Sequence, residues 1–141
     1  MKLIAVLMGV TVLLITSSCA TGPKPLAPGE LRLLSMQVPE EGKIRVNTPF
    51  LVNINFGADG EPQIRAACFS FSGDGPHCTK VTDVMYGSPG NIKVETRTTL
   101  RGSIHFECYV TYVRDGKIEA TNVISTNFRL PEVTKPSQLR R

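Results

Sequence analysis

The chain has 141 residues, with 16 Lys/Arg against 12 Asp/Glu, four Cys and no Trp. The formal charge of +4 sits at the ends: between Glu30 and Pro131 there are 11 residues of each sign. A nucleic-acid-binding domain concentrates basic residues on one face. Here they alternate with acidic ones, so no nucleic-acid partner is expected. The chain opens with Lys2, a 13-residue apolar run Leu3–Ile15, and the small residues Thr16-Ser17-Ser18 before Cys19. That is the layout of a secretory signal. The run is shorter than the ~20 residues needed to span a bilayer.

Ile15-Thr16-Ser17-Ser18-Cys19 resembles the lipobox of bacterial lipoprotein precursors, with Thr16 in place of the family's usual Leu. The resemblance implies that residues 1–18 are removed, that the Cys19 thiol carries a diacylglyceryl group, and that the new amine is acylated. In that family an Asp after the Cys favours inner-membrane retention. Ala20 therefore points to the outer membrane. Two or more acyl chains anchor a domain stably where one binds only marginally. Membrane lipid, through Cys19, is thus the first expected partner.

Without residues 1–18, 123 remain, enough for one domain with a proper core. Residues 19–30 form a tether: Ala20–Gly29 holds three Pro and two Gly, a semi-rigid extended composition. From 31 to 130 the pattern is period 2, and no segment shows a helical period. Leu31–Val38 and the short Lys43–Val46 are strand candidates. In Pro49–Phe56, residues Phe50, Val52, Ile54 and Phe56 share one face. Ile64–Ser72 sets Ala67, Phe69 and Phe71 against Cys68 and Ser70, and a turn is expected at Asp74-Gly75.

His77–Tyr86 reads as one returning strand, with Val81 and Met85 inward. Asn91–Leu100 turns Ile92, Val94, Thr96 and Leu100 inward. Ser103–Arg114 aligns Ile104, Phe106, Cys108, Val110 and Tyr112. Asp115-Gly116 is a two-residue hairpin signal. The last strand, Lys117–Leu130, loses phase at Asn122-Val123, which suggests a bulge. Residues 131–141 are polar and basic and read as a disordered tail.

About seven strands with turns between them describe an all-β antiparallel sandwich. Phe106-Glu107-Cys108-Tyr109-Val110 and the hairpin after it resemble the last strands of immunoglobulin-like domains. The hallmarks of true immunoglobulin domains are missing: there is no Trp, Phe106 stands where a corner Tyr would be, and Phe50–Phe56 has no Cys to pair with Cys108.

Export permits disulfides. With Cys19 lipidated, Cys68, Cys78 and Cys108 remain, an odd number. The expected bond is Cys68–Cys78, across a hairpin, with Cys108 a buried thiol. Cys68–Cys108 is the alternative, since neighbouring strands would bring the two together. Cys68, His77, Cys78, His105 and Cys108 are the only soft ligands in the body, and their spacing lacks the tight pairs of a zinc site. His105 near Glu107 has no nucleophile in a Gly-x-Ser-x-Gly elbow. No catalytic, cofactor or metal residue is assigned. The sequence therefore predicts a membrane-anchored, non-catalytic envelope lipoprotein that binds, props or helps assemble another envelope protein. A pilotin-like escort is one variant. The competing class is an envelope hydrolase or metal-handling protein that uses the Cys/His set.

Overall fold

The computed structural model describes Lys24–Glu132. Cys19, the signal segment and residues 133–141 of the expected tail lie outside the described residues. Nine strands run in order: β1 (Leu31–Gln37), β2 (Phe50–Ala58), β3 (Ile64–Phe71), β4 (Asp74–Lys80), β5 (Asp83–Met85), β6 (Gly90–Thr96), β7 (Gly102–Arg114), β8 (Lys117–Ala120) and β9 (Ile124–Leu130). One antiparallel sheet has the order β1-β2-β6-β5. The other runs β4-β3-β7, with β8 and β9 both paired to β7. Labelled as in immunoglobulin domains, this is A-B-E-D facing C′-C-F-G, the expected immunoglobulin-like sandwich.

The alternating residues form the core as their period requires. Val52, Ile54, Phe56, Phe69, Ile92, Ile104, Phe106, Cys108 and Val110 are each at most 1% exposed. Phe106 is the hub. Its ring stacks on Phe71 at 4.8 Å and on Phe69 at 5.3 Å, and meets Phe128 and Phe50 edge-on at 5.7 and 6.2 Å. Phe50 belongs to the facing sheet, so the cluster ties the two layers together. Each such aromatic pair contributes about 0.5–1.5 kcal/mol beyond its buried area.

Bulges shift the register in four places, one of them at Arg65, where β3 carries an extra residue against β7. Between the pairs Cys108↔Ile124 and Thr111↔Ala120, the β8–β9 side takes four steps to three on β7, so the two form one bulged strand at residues 121–123. This is the bulge expected at Asn122-Val123. Leu34 is the extra residue of a second bulge, in β1. After it the inward parity moves from Leu31 and Leu33 to Met36. The two bulges meet: Asn122 accepts from Leu33 N through Oδ1 at 2.9 Å and donates through Nδ2 to Leu33 O at 3.0 Å. Its side-chain amide thus pairs both main-chain groups of an edge residue.

The third bulge decides the disulfide. The turn sits at Ser72-Gly73, both at positive φ (49° and 86°), rather than at Asp74-Gly75. Phe71 pairs with Asp74, but Phe69 pairs with His77, so β4 carries one extra residue. Gly75 takes it up, at φ 131° and with its Cβ position 2.6 Å from Phe69 O. Without that residue Cys68 would face His77. With it, Cys68 and Cys78 are direct partners, 4.0 Å apart at Cα, and are disulfide-bonded. Cys108 is the free, buried thiol.

Other strand expectations need correction. His77–Tyr86 is two strands in different sheets, broken at Val81-Thr82. Val81 is buried and its N–H donates to Arg65 O at 3.0 Å, so the chain turns across the sandwich there. The break flips the parity, and half-buried Val84 faces in while Met85 is 69% exposed. Lys43–Val46 is not a strand: Ile44 plugs the core end from a turn. β6 stops at Thr96 instead of Leu100, since Asn47 N–H takes the Thr98 carbonyl at 2.7 Å and Thr98 buries its side chain.

The second half of the tether is docked on the body. Arg114 Nε donates to Pro28 O at 2.9 Å, Gly29 N donates to Asp59 Oδ2 at 2.8 Å, and Arg32 reaches the Lys24 carbonyl. Residues 24–30 are therefore not a free spacer.

A Gly75→Ala variant tests the bulge. A side chain there meets the Phe69 carbonyl and an unfavourable φ, which costs about 1–3 kcal/mol. We expect a lower melting temperature and a measurable fraction of protein with three free thiols in the described body, counted by thiol titration in denaturant. A full disulfide yield with unchanged stability would contradict the account.

Candidate functional site

β5 has only three residues and pairs with β6 over Asn91–Lys93. Beyond it, β6 from Val94 to Thr96 has no neighbour on that side. On the other sheet β4 is the terminal strand, and all seven of its residues are exposed. These two open edges face one another, and the gap between them is a cleft of about 610 Å³. Phe71 and Pro49 line its apolar part. Asp74, His77 and Thr79 of β4 form one wall, and Glu95 with the Arg97–Thr99 loop forms the other. His77 Nε2 lies 3.6 Å from Asp74 Oδ2, a solvent-exposed pair. The lining therefore offers hydroxyls, one Arg, one His and two carboxylates, with the buried Phe71 beneath.

The cleft lies at the end of the sandwich opposite the tether. Leu31 and Ala58 pair at the tether end, and Phe50 and Thr96 pair at the cleft end.

The soft ligands are dispersed. Cys68 and Cys78 are joined to each other, Cys108 points into the core, His77 lines the cleft, and His105 lies on the outer face of β7. Among the described residues no three His, Cys, Asp or Glu side chains converge as a metal site would require. Burial pushes the Cys108 thiol up to about 12, so it is not a nucleophile in the folded protein. His105 Nδ1 is 2.8 Å from Asn127 Oδ1, and Nε2 is 3.1 Å from Glu107 Oε1. Asn127 first and Glu107 second favour the imidazolium, and they raise the His105 pKa above 6.5. This trio is an exposed cross-strand network on the outer face of β7 and β9.

Sequence reasoning missed the cleft. Its one visible signal is the loss of apolar alternation after Thr96, inside the expected strand Asn91–Leu100. The openness also depends on how far β5 extends along β6, which is a tertiary fact. No protein-family model, curated protein or solved structure matches this chain.

Two measurements check the electrostatics. In an NMR titration Asn127→Ala is expected to lower the His105 pKa, because it removes the larger of the two stabilising bonds. Since the folded value is raised, the His105 contribution to stability is complete below pH ~6.5 and fades as pH climbs through the folded value. An unchanged pKa in the variant would show that Asn127 Oδ1 does not accept from the ring. Separately, iodoacetamide is expected to leave Cys108 unmodified in the native protein at pH 8 and to modify it in denaturant. Native labelling would mean the thiol is not enclosed.

Proposed function

We propose that the protein is a lipid-anchored, non-catalytic module of the bacterial envelope that presents the cleft end of its sandwich to another envelope protein. The disulfide is the single observation that carries this reading. A cross-strand bond belongs to oxidising compartments and accords with an exported chain. The docked tether supports a definite orientation. Only five steps separate Cys19 from Lys24, a reach of ~17 Å at most. The cleft is ~25 Å along the strands from the end where Lys24–Glu30 docks. Lipid holds one end, and the open edges at the other meet the partner.

Two experiments test the reading. Cys19→Ser should leave the membrane fraction, and the wild-type protein should carry lipid by mass. A variant that stays with membranes, together with a lipid-free wild type, would remove the anchor. A photo-crosslinking residue at Thr79 or Arg97 should capture a discrete envelope protein in cells, whereas one at Lys117, beside the tether, should not. Capture only from Lys117 would reverse the orientation. Stoichiometric zinc or copper in the purified protein would instead favour the metal-handling class.

A further inference from the structure

We propose that the Cys68–Cys78 disulfide is a redox latch on β4, and that its reduction by a dithiol releases this strand as a strap and opens the cleft wall. The use of the opened cleft rests on the function proposed above, but the latch itself does not. The geometry has three parts. First, the strap has fixed ends. Ser72 N donates to His105 O at 2.7 Å, and Ser72 Oγ accepts from His105 N at 3.0 Å. At the other end Val81 is buried and bonded to Arg65 O. Second, nothing between those anchors is buried: residues 73–80 are all exposed. Their ties to the body are the β3 ladder and the one covalent bond. A segment without apolar burial belongs to the low-stability end of a fold. Third, the bond is asymmetric. Cys78 is exposed, while Cys68 is 2% exposed.

That asymmetry orders the chemistry. One thiolate of the dithiol attacks Cys78 Sγ. The protein S–S bond breaks, and Cys68 leaves as a thiolate that takes up a proton. The second thiol of the dithiol then attacks the mixed disulfide, frees Cys78 as a thiol, and closes the reductant into its own disulfide. Two electrons pass to the protein. Cys108 takes no part, because it faces the core on the opposite side of the sheet from Cys68. With the cross-link gone, the strap is held by main-chain bonds alone. Its departure uncovers the β3 edge from Ala66 to Phe69, and takes Asp74, His77 and Thr79 away from the floor at Phe71.

Hydrogen exchange on the full-length protein tests the latch, in three samples: oxidised, reduced with dithiothreitol, and Cys68→Ser/Cys78→Ser. The β4 amides bonded to β3 within residues 74–80, Pro76 having none, should exchange about 100-fold faster in the second and third samples, the scale of a short cross-linked loop. Amides of β2, β6 and β7 should keep their rates. Cys68 should become alkylated along with Cys78 after reduction, while Cys108 stays unlabelled. Three outcomes would overturn the proposal: protection at 74–80 that survives reduction, a loss of protection shared by every strand, or a Cys68 that still resists alkylation. Failure here would leave the crosslinking result at Thr79 and Arg97 standing.

Discussion

The structure depends on the stack of Phe106 between the rings of β3 and the edges of Phe50 and Phe128. No Trp is present to fill a sandwich interior, and among the described residues no inter-sheet disulfide crosses it. In antibody domains those two features hold the layers together. Here four phenylalanines around a fifth occupy that space, and Cys108 packs beneath as a small apolar group. β7 carries the hub because it is the longest strand, with β3 along Phe106–Tyr112 on one side and β9 then β8 along the other. Its apolar face is continuous from Ile104 to Tyr112, so any tilt of that strand would move both flanking strands at once.

The two flanks of the sandwich are finished differently. On one, the bulges of β1 and β8–β9 meet, and Asn122 closes the seam with side-chain hydrogen bonds. On the other, β4 and β6 face each other across open space. The same sequence device, a one-residue bulge, produces both results. At Asn122 it turns an amide toward the facing sheet. At Gly75 it rotates β4 so that Cys78 takes up the partner position and His77 with Thr79 look into the gap.

The sequence made the sheet residues legible because their period is short and strict. The inward faces of Phe50–Phe56 and Ile104–Tyr112 follow directly from alternation, and the Asp115-Gly116 hairpin has the positive φ values its residues favour. What alternation cannot supply is a change of partner. Val81 reads equally well as the middle of one long strand or as the pivot between two sheets, and only the three-dimensional position of Arg65 selects the pivot. Ile44 is apolar enough for a strand but seals the core from a turn. The disulfide was within reach because both Cys flank one turn. Its registry was not, since it needs a glycine bulge whose position depends on the Phe69 carbonyl. Of the cleft only the loss of alternation after Thr96 is legible: its opening is made by the shortness of β5, and a strand's missing length leaves no residue pattern.

The amide of Asn122 bears on the surface tethering proposed above. An edge strand with free N–H and C=O groups is a template for another chain. Molecules confined to a plane and held in a common orientation meet one another edge to edge far more often than free ones do. Leu33, midway along β1, has both groups already taken by Asn122, and the neighbouring Leu34 bulge bends the strand out of line for a second ladder. A single side chain thus impersonates the missing strand. It lets the domain be crowded without zipping into a continuous sheet, while leaving the opposite flank unsealed.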